Sequence, residues 1–199
     1  MDIFLLVLLI ITVISFLICL VSIAQIIICR RNKRPSGTAT ARLKKSAKFF
    51  SGLVLLMAIL VLLSQFTAHT PPIMDQQGNG LNGSIAELQK VELNGHQEWI
   101  SIRGKDCHNP VLLFLAGGPG GSQMAATRNE LSGLEENFVV VNWDQPGSGK
   151  SYSAVPNDKI TADTYVDDGL ALTDFLRQRF GTEKIYLMGE SWGSVLGIL

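Results

Sequence analysis

From Ile3 to Cys29 the chain carries no charged side chain, and Thr12, Ser15, Ser22 and Gln25 are its only clearly polar members. A helix needs about 20 apolar residues to cross a hydrocarbon layer of roughly 30 Å, so this run is long enough to span one with some tilt. A cleaved signal peptide fits poorly. Met1-Asp2 offers no basic start, and the run exceeds the usual core of ~7–15 residues. A second uncharged run, Phe49 to Thr67, is just long enough to span. Two such runs close together are hard to bury in so short a chain, so both are expected to cross a lipid bilayer.

Between the runs, Arg30, Arg31, Lys33, Arg34, Arg42, Lys44, Lys45 and Lys48 occur with no acid among them. Short loops rich in Lys and Arg stay on the cytoplasmic side. The segment 30–48 is therefore expected as a cytoplasmic loop facing the anionic leaflet. The N-terminus and everything after Thr67 are then expected outside. The formal net charge of zero hides this asymmetry. Up to Thr67 there are eight bases and one acid, and beyond it nine bases and sixteen acids, giving +7 and −7. Such a balance excludes a generally basic nucleic-acid binder. Three cysteines, two of them in the first apolar run, exclude a disulfide scaffold.

Beyond the anchor (1–67), residues 68–83 are rich in Pro, Gly, Gln and Asn and have the composition of a linker, with a glycosylation sequon at Asn82. From Ser84 the pattern changes to β and α units. Ser84–Leu93 and Gln97–Arg103 alternate in polarity around Asn94-Gly95, a strong hairpin signal. Val111–Ala116 and Phe138–Trp143 are short continuous apolar runs, as expected of strands buried on both faces. Helices are expected over roughly Ser122–Ser132 and from an N-cap at Thr161 to Phe180. In the latter, Val166, Leu170, Thr173 and Leu176 lie along one stripe, and Gly181 is the stop signal. A strand over Ile185–Met188 follows. Strands alternating with helices predict an α/β fold with a mostly parallel sheet covered on both faces. Sites in such sheets lie at the carboxyl ends of the strands.

Three glycine-rich loops follow three of these strands: Ala116-Gly-Gly-Pro-Gly-Gly121, Asp144-Gln-Pro-Gly-Ser-Gly149 and Gly189-Glu-Ser-Trp-Gly193. The last fits G-x-S-x-G between a strand and a helix. There a sharp turn holds a serine clear of the sheet, and bulky residues two before or two after it would clash. Ser191 is the candidate nucleophile, and Gly189 and Gly193 the residues that permit the elbow. The backbone N–H of Trp192 is one expected oxyanion donor. The second is expected from the loop after the Val111–Ala116 strand, with Gly118 as the candidate and Gly117 as the fallback. No cofactor or metal is implied.

The order AGGPGG, WDQPGSGKS, GESWGS resembles the proline iminopeptidase-like branch of the α/β-hydrolases, over roughly Ser84 to Leu199. The resemblance implies the N-terminal half of an α/β-hydrolase fold over 84–199. It also implies a serine hydrolase acting on small peptides with N-terminal proline, with a general ester or amide as the alternative substrate. Ala116, Pro146 and Glu190 depart from the family's His, Arg and Gly. The latter two bear on peptide specificity rather than on hydrolase chemistry. In this fold the triad acid and histidine follow the serine in the chain. His69, His96 and His108 all precede it and read as solvated loop residues. The chain therefore reads as a fragment cut after the elbow, expected to show no turnover by itself. A non-catalytic membrane protein on an inherited hydrolase frame is the competing expectation. A nucleotide-binding loop at Pro146–Ser151 (PGSGKS) is a weaker one, because Asp144 stands where that motif needs glycine and Pro156 would break the helix that must follow.

Overall fold

The computed structural model describes residues 3–199, apart from the side chains of Ile3 and Gln65, and Met1 and Asp2 lie outside that description. The chain divides into two compact units, Met1–Ala68 and His69–Leu199.

The first unit is a helical hairpin, α1 (Ile3–Arg31) and α2 (Gly37–Phe66). Leu8, Thr12, Ser15, Cys19 and Ser22 are its buried α1 positions, spaced alternately by four and three. That spacing keeps one stripe facing the partner helix, and small side chains let the two backbones approach. The contacts run antiparallel. Cys19 Sγ lies 3.2 Å from Ser46 Oγ, Phe16 packs on Phe50 at 5.6 Å, and Arg42 Nη1 donates to Gln25 Oε1 at 3.2 Å. The opposite faces present Leu, Ile and Val almost without interruption. At 1.5 Å per residue, helices of 29 and 30 residues are about 44 Å long. Both are long and apolar enough to cross a membrane.

One expectation is corrected here. The basic segment 30–48 is a loop only around residues 32–36, and from Gly37 it is helix. The run Ala41-Arg-Leu-Lys-Lys-Ser-Ala-Lys48 is made of good helix formers with no breaker, so α2 starts well before its apolar part.

In the second unit, β1 (Ile85–Leu93) and β2 (His96–Gly104) form the expected hairpin, turning through Asn94 and Gly95 with φ of 48° and 89°. Positive φ at both central residues matches the right-handed twist of the strands, which is why Asn-Gly is favoured there. The remaining strands are β3 (Val111–Leu115), β4 (Val139–Asp144) and β5 (Tyr186–Gly189). The sheet order is β1-β2-β4-β3-β5. β1, β2 and β4 pair antiparallel, whereas β3 pairs parallel with both β4 and β5. The sheet is thus mixed, parallel only in the part built by crossover helices.

Side-chain alternation divides the core. Val111, Leu113 and Leu115 of β3 and Val139, Val141 and Trp143 of β4 face α4 (Ala162–Phe180) and α5 (Trp192–Leu196). Leu112, Phe114, Ala116 and Val140 face the other way, packed against Leu131, Leu134 and Phe138 in and around the 3₁₀ segment Ser132–Glu136 that follows α3 (Met124–Glu130). Thr161 caps α4 reciprocally with Thr164, and Gly181 ends it at φ 61°. Of the expected stripe, Leu176 is buried and Val166 packs against the core, but Leu170 is 63% exposed; the residues α4 buries are Tyr165, Asp168, Leu172 and Leu176. An acid on the buried face shifted the apparent apolar stripe, because hydropathy alone counts Asp168 as surface.

The linker composition of 68–83 also conceals fixed structure. Arg103 Nη1 donates to Thr70 Oγ1 at 2.8 Å and to the Pro71 carbonyl, while its Nε pairs with buried Glu135 at 2.9 Å.

Candidate active site

Because β3, β4 and β5 run parallel, their three glycine-rich loops emerge at one edge of the sheet. β5 passes through Glu190 into Ser191, which sits at φ 51°, ψ −117° as the N-cap of α5. A non-glycine residue at such a dihedral is strained and is held there by its surroundings. Two close approaches provide the constraint. A Cβ on Gly189 would lie 2.5 Å from Gly193 C and 2.6 Å from Ser194 N. A Cβ on Gly193 would collide with Leu115 O and lie 2.6 Å from Leu115 C. Strand and helix therefore cross at backbone contact. Hydrogen bonds from Glu190 N to Leu115 O (3.1 Å) and Ser194 Oγ to Gly189 O (3.0 Å) fix the turn.

The loop after β3 lies beside it. A Cβ on Gly117 would be 3.4 Å from Ser191 Cβ and 4.0 Å from Ser191 Oγ, so glycine keeps the space over the hydroxyl open. Gly118 adopts φ 145°, a conformation that favours glycine, and precedes Pro119 through a cis peptide bond. Among the described residues the backbone N–H groups of Gly117, Gly118 and Trp192 donate no hydrogen bond, and Ser191 Oγ takes part in none.

The loop after β4 is the support of this arrangement rather than a binding loop. Fully buried Gln145 accepts from Gly120 N at 3.2 Å and donates to Ala116 O at 3.1 Å. Ser148 Oγ reaches Gly121 O at 2.9 Å, and Asp144 holds Ser122 Oγ at 2.5 Å. Asp144 also accepts from Lys150 N at 2.8 Å, and the Lys150 ammonium lies 4.7 Å from the Trp99 ring centroid. A carboxylate thus occupies a backbone N–H that a phosphate cradle would need, and Gly149–Ser151 is one 3₁₀ turn, not the start of a helix. Tyr165 ties α4 to both sides, donating to Pro146 O at 3.3 Å and packing edge-on against Trp192 at 6.0 Å.

Among the described residues, neither His96 nor His108 is hydrogen-bonded to Ser191. His108 is exposed and paired with Asp106, whose carboxyl is held below its usual range by hydrogen bonds from the His108 backbone and side chain. His96 departs from the expectation of a solvated turn residue. It lies on β2, with Nε2 3.0 Å from Asp168 Oδ2 and 2.8 Å from Glu98 Oε1. Glu98 and Asp168 are buried, at 0% and 1% exposure. Burial, opposed by the Trp143 hydrogen bond and reinforced by neighbouring Asp168, pushes the Glu98 carboxyl up to about 8. Burial and then the charge of Glu98 raise the Tyr165 phenol as well. Strand parity carried the missed signal, since His96 and Glu98 share the face of Ile100 and Ile102.

Residues 110–198 match the family model described as alpha/beta hydrolase fold. A stretch of 116 residues, 58% of the chain, is 40% identical to "Probable aminopeptidase YbaC" of Bacillus subtilis (strain 168), covering 36% of that protein. Over 113 residues, 55% of the chain, it is 31% identical to the proline iminopeptidase of Lactobacillus crispatus, again covering 36% of the relative. Among solved structures, a proline iminopeptidase-related protein from Thermus thermophilus aligns over 57% of this chain and 39% of its own, with 30% identity and a TM-score of 0.49. The chain spans about a third of the length of the curated relatives it matches. It carries part of an α/β-hydrolase fold, and an aminopeptidase and proline iminopeptidases are among its relatives.

Proposed function

We propose that the unit His69–Leu199 is the nucleophile-bearing part of a serine hydrolase that releases N-terminal proline from small peptides. The observation that carries this is Ser191 at φ 51° between two glycines whose Cβ positions are filled by backbone. Strain of this kind has no packing purpose, and it presents one hydroxyl to a space bordered by free N–H groups. In the reaction Ser191 Oγ attacks the substrate carbonyl, and the N–H groups of Trp192 and Gly118 receive the developing oxyanion. The adduct collapses with cleavage of the peptide C–N bond, the departing amine takes the proton from the general base, and water then hydrolyses the acyl-enzyme to free the serine. A general base must take the serine proton, and among the described residues neither His96 nor His108 is bonded to Ser191. The chain alone is therefore expected to be catalytically silent. The iminopeptidase substrate class rests on the relatives' names, with a general ester or amide as the alternative. The same unbonded Ser191 favours, as the second reading, a non-catalytic protein on a hydrolase frame.

We also propose that α1 and α2 anchor this unit in a cell membrane, with the basic turn in the cytoplasm and the hydrolase unit outside. The lysines and arginines flanking the apolar parts of α1 and α2 support that orientation. Treating membranes from the source cell with a fluorophosphonate probe tests the enzyme reading. Labelling at Ser191, abolished by Ser191→Ala, is expected. An unlabelled but folded protein establishes the non-catalytic reading instead.

A further inference from the structure

His96, Glu98 and Asp168 lie outside the serine site, at the same edge of the sheet but on the face covered by α4. Their donor atoms lie within 4.8 Å of one another. His96 and Glu98 come from alternate positions of β2, and Asp168 from the second turn of α4, so the cluster exists only because that helix packs on that strand. We propose that these three side chains form a binding site for one divalent first-row cation of the zinc–manganese class.

Three observations support it. First, the near oxygens converge on a single imidazole nitrogen, at 2.8 Å for Glu98 Oε1 and 3.0 Å for Asp168 Oδ2. Two ligands about 2.1 Å from an ion and at right angles to each other are themselves about 3 Å apart, so the spacing suits an ion at the point of convergence. Second, the convergence is unbalanced without one. His96 Nε2 has a single proton to give and its hydrogen bond goes to Asp168, which leaves Glu98 Oε1 buried and accepting none. A buried carboxyl oxygen left without a partner is costly, and a cation in place of the protons held by His96 Nε2 and Glu98 would satisfy all three atoms together. Third, the outer oxygens are already held. The Trp143 indole N–H donates to Glu98 Oε2, and Asn94 Nδ2 donates to Asp168 Oδ1 at 2.7 Å. Neutral donors that fix the far oxygen and leave the near one free are the support that ligating carboxylates require. On binding, Glu98 gives up its proton to solvent, and with a neutral imidazole the two carboxylates then supply two negative charges for a divalent ion. The His96 side chain is 19% exposed, which leaves an open side for water ligands and for entry.

Such an ion would clamp the β1–β2 hairpin to α4. Trp143 precedes the loop that buttresses Ala116–Gly121, and Tyr165, three residues before Asp168, packs on Trp192. The clamp would therefore stiffen the frame around Ser191 without touching the reacting atoms. The site stands whether or not Ser191 is a nucleophile.

The test is cation binding by the full chain in detergent micelles after chelator treatment. Isothermal titration with ZnCl₂ is expected to show one site, weakened at least tenfold by Asp168→Asn and by His96→Ala, and a raised melting temperature at saturation. The exposed group Asp106, Cys107 and His108 is the competing ligand set. Cys107→Ser and His108→Ala are accordingly expected to leave the affinity unchanged. Should the Asp168 variant fail to fold, the Co²⁺ spectrum of the unaltered chain decides. Ligand-field bands without thiolate charge transfer support the buried site, and a thiolate charge-transfer band overturns it. Absence of uptake by folded protein, or uptake insensitive to Asp168→Asn, overturns it equally.

Discussion

Gly193→Ala isolates the backbone crossing on which the elbow depends. The added Cβ would meet Leu115 O well inside contact distance, Leu115 C at 2.6 Å and Ala116 O at 3.0 Å. Ordinary carbon–carbon contact begins near 3.5 Å, so α5 must move from β3 by about 1 Å. Every atom met is backbone, so no rotamer change can relieve the clash. Overpacking of a core costs about 1–3 kcal/mol even where side chains can give, and the upper end is expected here. The displacement falls on Ser191, two residues earlier, and a 1 Å misplacement of a reacting group costs on the order of 10²-fold in rate. Urea unfolding of the chain in micelles measures the first effect, and the rate of fluorophosphonate labelling in source membranes measures the second. Gly133→Ala, where no atom lies within 4 Å of the new methyl, is the control and is expected to be neutral or slightly stabilising. Equal stability of Gly193→Ala and the parent protein would refute the backbone-contact reasoning, whatever the labelling rate.

Glu98 gives a pH signature in chelator-treated protein. Its carboxyl ionises near 4.5 when unfolded and near 8 when folded, so stability is full below about pH 4.5 and declines until about pH 8. The slope approaches about 1.4 kcal/mol per pH unit from this group alone. Glu98→Gln should flatten the urea-midpoint profile between those values, and an unchanged slope would show that Glu98 does not hold its proton. Thr161→Ala removes the α4 cap and should cost about 1 kcal/mol in the same unfolding assay. The 199-residue chain should not hydrolyse Pro-4-nitroanilide, and turnover abolished by Ser191→Ala would mean that a base reaches the serine after all.

What the amino-acid order determined by itself is what neighbours in the chain decide. Thr161 and Gly181 bracket α4, Asn94-Gly95 turns the hairpin, and Gly189 to Gly193 permit the elbow. In each case the cause is a dihedral or a hydrogen bond within a few residues. The apolar runs of α1 and α2 are equally explicit, because hydropathy needs no partner to be read. The helical state of the basic segment was less so, since its charges spoke for topology while its propensity spoke for helix. Tertiary structure decided the rest. That Gln145, Ser148 and Asp144 brace the glycine loop follows only from β3 and β4 lying side by side. That His96 meets Asp168, 72 residues away, follows only from α4 settling on β2. Burial then changes the meaning of these side chains. In the chain Glu98 and Asp168 are ordinary solvated acids, and removed from water beside one imidazole they become a site. The desolvation that does this is a property of the packed fold, and no local pattern encodes it.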